Sequence, residues 1–240
     1  MEKRVYEAMS AFEDSWWYQG RADVVRRVLS RLSRRTSGSA HILDLGAGYG
    51  GMANLLAQFG TLDGVEPDAT ARARLGDRGY RSAWPDMQAI PHSERFDLVA
   101  LLDVLEHVED DFALLQDVRM RMKPGGQVII TVPAYQFLFG EHDAVCHHFR
   151  RYTEGRLRAM VMRAGFEVVY GGYWNMTLLL PTIPLRLLGF SGDQSLVHTN
   201  LATRIMRLIV RTESRVIPHV RLPFGTSIVL LARVREVPPS

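Results

Sequence analysis

A chain of 240 residues, 47% apolar and 23% charged, can bury one sizeable core and is neither disordered nor fibrous. Its formal net charge of +3 excludes the strongly basic face of a nucleic-acid binder, so no nucleic acid is expected among its partners. One cysteine, Cys146, excludes a disulfide framework and fits a reducing, cytoplasmic compartment. The opening "MEKRVYEAMSAFEDSWWYQGR" has no apolar h-region, so no secretory signal is expected.

In chain order, Val24 to Leu32 reads as an arginine-rich amphipathic helix, ended by the loop "RRTSGSA". "HILDLG" reads as a strand, and Met52, Leu55, Leu56 and Phe59 give the next segment helical spacing. "TLDGVEP" is a second strand, "YRSAW" a third, and "RFDLVALLDV" a fourth, whose nearly continuous apolar run suits a strand covered on both faces. Glu109 to Met122 is predicted helical, with acids first and basic residues last, to be stopped by "KPGG" before the strand "QVIITVP". Thr153 is placed to cap a helix running to Ala164, with Gly165 as its stop, and "FEVVYGGY" and "TSIVLLARV" are the last strands. This alternation predicts an α/β, doubly wound, mostly parallel seven-stranded sheet. One domain over 1–240 is expected, with N-terminal helices or a lid over 1–38 and a cofactor core over 39–135. Substrate-loop and cap insertions follow over 136–220, and a last strand and tail over 221–240.

In such sheets a ligand lies beyond the carboxyl ends of the strands. There "ILDLGAGYGGMA" carries Gly46, Gly48, Gly50 and Gly51, which let the backbone approach a ligand closely and take positive φ. Asp44 precedes the loop, and Glu66 ends the second strand where an acid can take both hydroxyls of a ribose. A dinucleotide needs G-x-G-x-x-G, whereas here the third glycine comes one residue early and an acid stands before it. That arrangement suits a cationic adenosine ligand such as S-adenosyl-L-methionine.

With "WPDMQAIP", "FDLVALLDVLEHVED" and "KPGGQVIITVP" following in order, Ile42 to Pro133 resembles the class I S-adenosylmethionine-dependent methyltransferases. "HDAVCHHFRRYT" and "SWWYQGR" resemble a bacterial subgroup acting on small molecules. The resemblance implies a Rossmann-like methyltransferase fold, with Gly46, Ala47 and Gly48 as the cofactor loop and Asp44 supporting it. It implies Glu66 and Pro67 at the ribose, Asp86 and Met87 at the adenine, and Leu102 and Asp103 under the methionine moiety. His107 either contacts the cofactor or packs against the next helix. A nicotinamide-dependent oxidoreductase and a non-catalytic cofactor-binding protein are the competing readings.

Asp143, His148, Arg150, Arg151 and Tyr152 match the subgroup's pattern after the fifth strand, while His147 stands where glycine is usual. The cluster has no recognisable metal-ligand spacing, so no metal is expected there. His148, oriented by Asp143, is the first candidate general base, with His142 second. Tyr135, Arg150, Arg151, Tyr152 and Trp174 are candidate substrate contacts. Trp17, Tyr18 and Arg21 are read as a lid, the aromatic faces attracting the sulfonium and the guanidinium its carboxylate. The apolar stretch Tyr173 to Phe190, with Arg204, Arg207, Arg211 and Arg215 beyond it, is expected to cap an acceptor pocket in an apolar/basic C-terminal insertion. A peripheral membrane contact is the alternative.

Overall fold

The computed structural model describes residues 15–32, 40–177, 179, 200–217 and 219–235. Residues 33–39, most of the apolar stretch beyond Thr177 and the two chain ends lie outside the described residues, apart from Leu179. The seven expected strands are all present: β1 (Ala40–Leu45), β2 (Gly60–Val65), β3 (Ala83–Trp84), β4 (Phe96–Leu102), β5 (Met122–Pro133), β6 (Phe166–Trp174) and β7 (Ser227–Val234). Their order in the sheet is β3-β2-β1-β4-β5-β7-β6, with β7 antiparallel to both neighbours and the other pairings parallel. The chain winds outward from β1 to β3, then returns to the other side of β1 with β4. The carboxyl ends of β1 and β4 therefore flank the point where strand order reverses, which is where such sheets open a crevice.

Alternation along the strands divides the core into two layers. Ile42, Leu62, Ala100, Ile129 and Val229 face one side, where helix α1 (Trp16–Leu32) contributes Val24, Val25, Val28 and Leu29. Leu43, Val99, Ile130 and Ile228 face the other, under α4 (Asp111–Met120) and α6 (Glu154–Arg163). The α-helices between β1 and β4 are short, α2 (Ala53–Leu56) and α3 (Ala69–Arg72), the latter capped by Asp68, which accepts from Ala71 N at 2.8 Å.

Several boundaries differ from the sequence expectation. Helix α1 begins at Trp16, so the tryptophans and Arg21 belong to it rather than to a preceding segment. Helix α4 spans Asp111–Met120, shorter than Glu109 to Met122, because Asp110 accepts from Ala113 N and fixes the start there. "KPGG" is not a turn between elements but lies inside β5, where Met122 already pairs with Phe96 and a register shift beyond Phe96 absorbs the glycines. Thr153 caps α6 and Gly165 stops it with φ 93°, as the sequence implies.

Helix α7 (Asn200–Val216) packs against α1 at Gly20. A Cβ added there would lie 2.2 Å from Val210 Cγ1, and a β-branched side chain cannot swing aside. Gly20→Ala is expected to cost ~1–3 kcal/mol through overpacking, lowering Tm by about 2–4 °C per kcal/mol. Adding Val210→Ala should recover most of the loss in a thermal melt; no recovery would mean that the two helices do not meet there.

Candidate active site

The loop after β1 turns through Gly46, Gly48 and Gly50, all with positive φ (77°, 54° and 76°), a region side chains rarely enter. At Gly46 a Cβ would also stand 2.8 Å from Val104 Cγ2, while at Gly48 it would meet nothing within 4 Å. Gly48 thus leaves open space at the loop's crest. Glu66, buried at the end of β2, ties the loop down: its Oε2 accepts from Gly48 N and its Oε1 from Asp68 N, each at 2.8 Å. Pro67 follows, its carbonyl accepting from Arg72 at 2.9 Å.

Asp44 is buried beneath the same loop and accepts from the Tyr80 hydroxyl at 2.6 Å. Burial pushes its carboxyl up to about 6; the Tyr80 hydrogen bond and the Arg21 charge oppose the rise, and Glu66 adds to it. Two buried carboxylates, with Glu66 disfavouring the charge on Asp44, suit a cationic ligand better than a pyrophosphate.

At the end of β4, Asp103 takes φ 59°, a left-handed conformation uncommon for a residue with a side chain. Its backbone N donates to Thr131 O at 2.9 Å, and its carboxylate accepts from Thr131 Oγ1 at 3.1 Å and forms an ion pair with Arg21. The Arg21 guanidinium lies 4.9 Å from the Trp17 ring centroid and 4.7 Å from that of Tyr18. The expected lid residues are therefore together at the cleft, with the aromatic faces stacked on Arg21 and its charge on Asp103. Arg21 Nε is buried and makes no hydrogen bond.

Beyond Asp103 a single 3-10 turn, Leu105–His107, leads away from the strand. Glu106 is fully buried, and its Oε2 makes no hydrogen bond. Burial, reinforced by Asp103, holds its carboxyl well above the usual range. The His107 ring sits edge-on to that of His148, with centroids 4.5 Å apart; burial, then His148, lower its imidazole to about 4, so it is neutral at pH 7.

His148 comes from the segment after the short helix α5 (Glu141–Val145). The preceding residue, His147, has φ 57°, which accounts for glycine being usual there. Asp143 is completely buried and accepts from His148 Nδ1 at 2.8 Å, from Arg151 Nε and Nη2 at 2.8 Å each, and from Gly140 N at 2.9 Å. Burial alone would raise its carboxyl, but the His148 and Arg151 hydrogen bonds and the Arg151 charge hold it well below the ordinary range. An ionised Asp143 makes His148 Nδ1 the donor and leaves Nε2 facing the Glu106–His107 turn.

The remaining candidates take varied positions. His142 is exposed, with Nε2 3.7 Å from Cys146 Sγ, and does not join the His148 group. Arg150 and the buried Tyr152 staple the loop to α4, Arg150 pairing with Asp111 at 3.0 Å and the Tyr152 hydroxyl donating to it at 2.7 Å. Trp174 is buried against Trp17, ring centroids 6.1 Å apart. Tyr135 stacks between Phe137 and Tyr173 at 5.3 and 5.2 Å, at the carboxyl end of β5. Asp86 is exposed and caps the turn to Ala89 at 2.8 Å, while Met87 belongs to the core under α4. Leu102 is buried, its carbonyl accepting from Arg21 at 3.4 Å. Sequence reasoning missed Tyr80 and Glu106. An acid between Leu105 and His107 is a visible signal, but only the fold shows that it is buried.

A sheet with this strand order, a glycine loop over an acid, and a second acid ending β2 together define a Rossmann-like methyltransferase domain. The chain belongs to the methyltransferase-domain family, whose pattern matches residues 16–170, and its cofactor is S-adenosyl-L-methionine. The ubiquinone biosynthesis O-methyltransferase of Pseudomonas aeruginosa is 30% identical over 149 residues, which are 53% of this chain and 64% of the relative. The chain matches about half the length of such curated relatives. Among solved structures, the N-methyltransferase NodS from Bradyrhizobium japonicum, in complex with S-adenosyl-L-homocysteine, superposes with TM-score 0.57 at 13% identity, covering 94% of this chain and 91% of that one. The [4+2]-cyclase SpnF superposes with TM-score 0.57 at 15% identity, covering 88% and 82%.

Because the folded state favours ionised Asp143, its stabilisation is complete above the ordinary carboxylate value near 3.8 and is lost as pH falls below it. Asp143→Ala, which leaves the half-buried Arg151 without its carboxylate, is expected to cost ~3–5 kcal/mol. Asp143→Asn should cost less and flatten the acid limb of a stability–pH profile; an unchanged limb would remove Asp143 as its source.

Proposed function

We propose that this protein transfers a methyl group from S-adenosyl-L-methionine to a hydroxyl on a small, lipid-like molecule. The observation that carries this reading is the Asp143–His148 pair, held beside the Glu106–His107 turn at the same end of the sheet as the glycine loop. S-adenosyl-L-methionine supplies an activated methyl group, whose C–S bond breaks with the electron pair left on sulfur as the acceptor oxygen attacks from the opposite side. The protein's part is alignment and exclusion of water, for which good positioning is worth ~7–11 kcal/mol. Gly46, Ala47 and Gly48 cradle the cofactor, Glu66 takes the ribose hydroxyls, and Asp44 balances the cationic end. Arg21, stacked on Trp17 and Tyr18, closes over it, its free Nε available to the carboxylate. A hydroxyl must lose its proton as it attacks, and His148 Nε2 is the acceptor whose partner Asp143 stabilises the imidazolium. Tyr135 and Tyr173 offer stacked rings for an apolar acceptor. The hydroxyl and the lipid-like character are supported by relatives named for ubiquinone biosynthesis O-methylation.

Glu66→Gln turns an amide N–H toward a backbone N–H that now donates to Glu66. Its expected effect is a loss of ~1–3 kcal/mol in S-adenosyl-L-methionine affinity by calorimetry, with circular dichroism unchanged. Unchanged affinity in the folded variant removes Glu66 from the site.

His148→Ala should lower turnover ~10²–10⁴-fold with little change in cofactor affinity, and the rate–pH profile should lose its ascending limb. Normal turnover at saturating acceptor would make His148 a positioning residue.

A second reading concerns where the protein works. No helix among the described residues is long and apolar enough to cross a membrane. Yet α7 exposes Ile205, Leu208 and Val216 beside the exposed arginines Arg204, Arg207, Arg211 and Arg215, and Val220 is exposed just beyond. Adjacent apolar and basic stripes suit the surface of an anionic bilayer, near a lipid-like acceptor. Co-sedimentation with anionic vesicles is expected at physiological salt and should fall when Leu208 and Ile205 become Ser. Binding only at low salt would reduce the stripe to solvated charge.

A further inference from the structure

Among the described residues, two groups of side chains gather nitrogen and oxygen atoms at distances a metal ion could bridge: His41, Asp63 and Glu94 at one end of the sheet, and Glu106, His107 and His148 at the other. The first already holds a cation. Arg81 Nη2 lies 2.6 Å from Asp63 Oδ2, 2.9 Å from His41 Nε2 and 3.2 Å from Glu94 Oε2. At the second, the guanidinium groups near Glu106 are paired with other acids, Arg151 with Asp143 and Arg21 with Asp103. Its carboxylate, Glu106, is 1% exposed with Oε2 making no hydrogen bond, a costly condition for a buried oxygen.

We infer that Glu106, His107 and His148 bind a divalent transition-metal ion of the zinc class. The three ligand atoms lie within 4.8 Å of one another, and bonds of ~2.0–2.2 Å would draw them together by small side-chain rotations. His148 is already oriented through Nδ1 by Asp143 Oδ1 at 2.8 Å, and His107 shares a hydrogen bond with the Cys146 backbone. Carboxylate or carbonyl partners behind metal-bound histidines serve the same purpose, fixing the tautomer and aiming the free nitrogen. Two imidazoles and one carboxylate suit zinc, cobalt or ferrous iron over magnesium, which prefers oxygen, and three protein ligands leave a position open for a further group. The inference rests on the proposed function for what fills that position. An ion bound there would occupy His148 Nε2, so the base role of His148 belongs to the metal-free protein; with the ion present, the open position would hold and polarise the acceptor oxygen. In the sequence, His148 stands far from Glu106 and His107, so no spacing rule could reveal the set.

The test uses tag-free full-length protein, stripped with a chelator and titrated with Zn²⁺ by calorimetry and with Co²⁺ by visible spectroscopy. Saturable uptake of one ion per chain is expected, uncontested by excess Mg²⁺. Glu106→Gln, His107→Ala and His148→Ala should each weaken it at least ~10-fold, and Asp143→Asn by ~10–100-fold. Cys146→Ser and His41→Ala should leave it unchanged. Circular dichroism and S-adenosyl-L-homocysteine affinity, measured on every variant, identify any that fails to fold, and Glu106→Gln is the most conservative of the set. No saturable uptake, or uptake that survives His148→Ala and is lost in Cys146→Ser, overturns the site. S-adenosyl-L-homocysteine binding without metal uptake overturns the metal site alone. Metal uptake without S-adenosyl-L-homocysteine binding upholds the site and overturns the methyl-transfer reading.

Discussion

Buried carboxyl groups at the carboxyl ends of the strands are the constraint around which this molecule is arranged. Asp44, Glu66, Glu106 and Asp143 are all buried there, with Asp103 close by. An unpaired carboxylate in such a place costs several kcal/mol, so each must find a donor, a cation or a proton. Glu66 takes two backbone N–H groups and by doing so fixes the glycine loop. Asp143 takes Arg151, His148 and Gly140 N, which sets the loop after β5. Asp103 takes Arg21, which draws the N-terminal helix over the cleft. Asp44 settles for Tyr80, and burial still holds its carboxyl above the ordinary range, at about 6. Glu106 alone keeps an oxygen with no partner.

The consequence is a cleft whose walls are already built. The strand ends supply rigid positions, and the charged pairs supply orientation. His148 shows this best, since its ring is aimed by a carboxylate that is itself held by a bidentate arginine. The same fold carries an N-methyltransferase and a [4+2]-cyclase among its structural neighbours, so the sheet alone does not choose a reaction. What distinguishes this chain is the set of groups hung from the ends of β4 and β5.

Much of this was written in local sequence. The central strands carry nearly continuous apolar runs that are buried on both faces, and the glycines mark a turn that needs positive φ, with Asp44 before it and Glu66 ending the next strand. The order of motifs from Ile42 to Pro133 was enough for the family. Helix α4 came out shorter than its charge pattern suggested because an aspartate cap overrides the macrodipole at the ends. "KPGG" was misjudged for a related reason: glycine and proline mark a turn only where no neighbouring strand is there to pair with.

Side-chain partnership between distant segments was not written there. By itself the sequence determined the sheet, its two covered faces, the glycine loop and the acids around it, because each follows from periodicity or from backbone requirements within a few residues. The tertiary structure alone decided that Arg21 pairs with Asp103, that Arg150 and Tyr152 staple a loop while His142 faces outward, and that His148 meets His107 and Glu106. Those facts depend on how helices and loops from remote parts of the chain dock at one end of the sheet, and on burial, which turns an ordinary acid such as Glu106 into one that must be partnered.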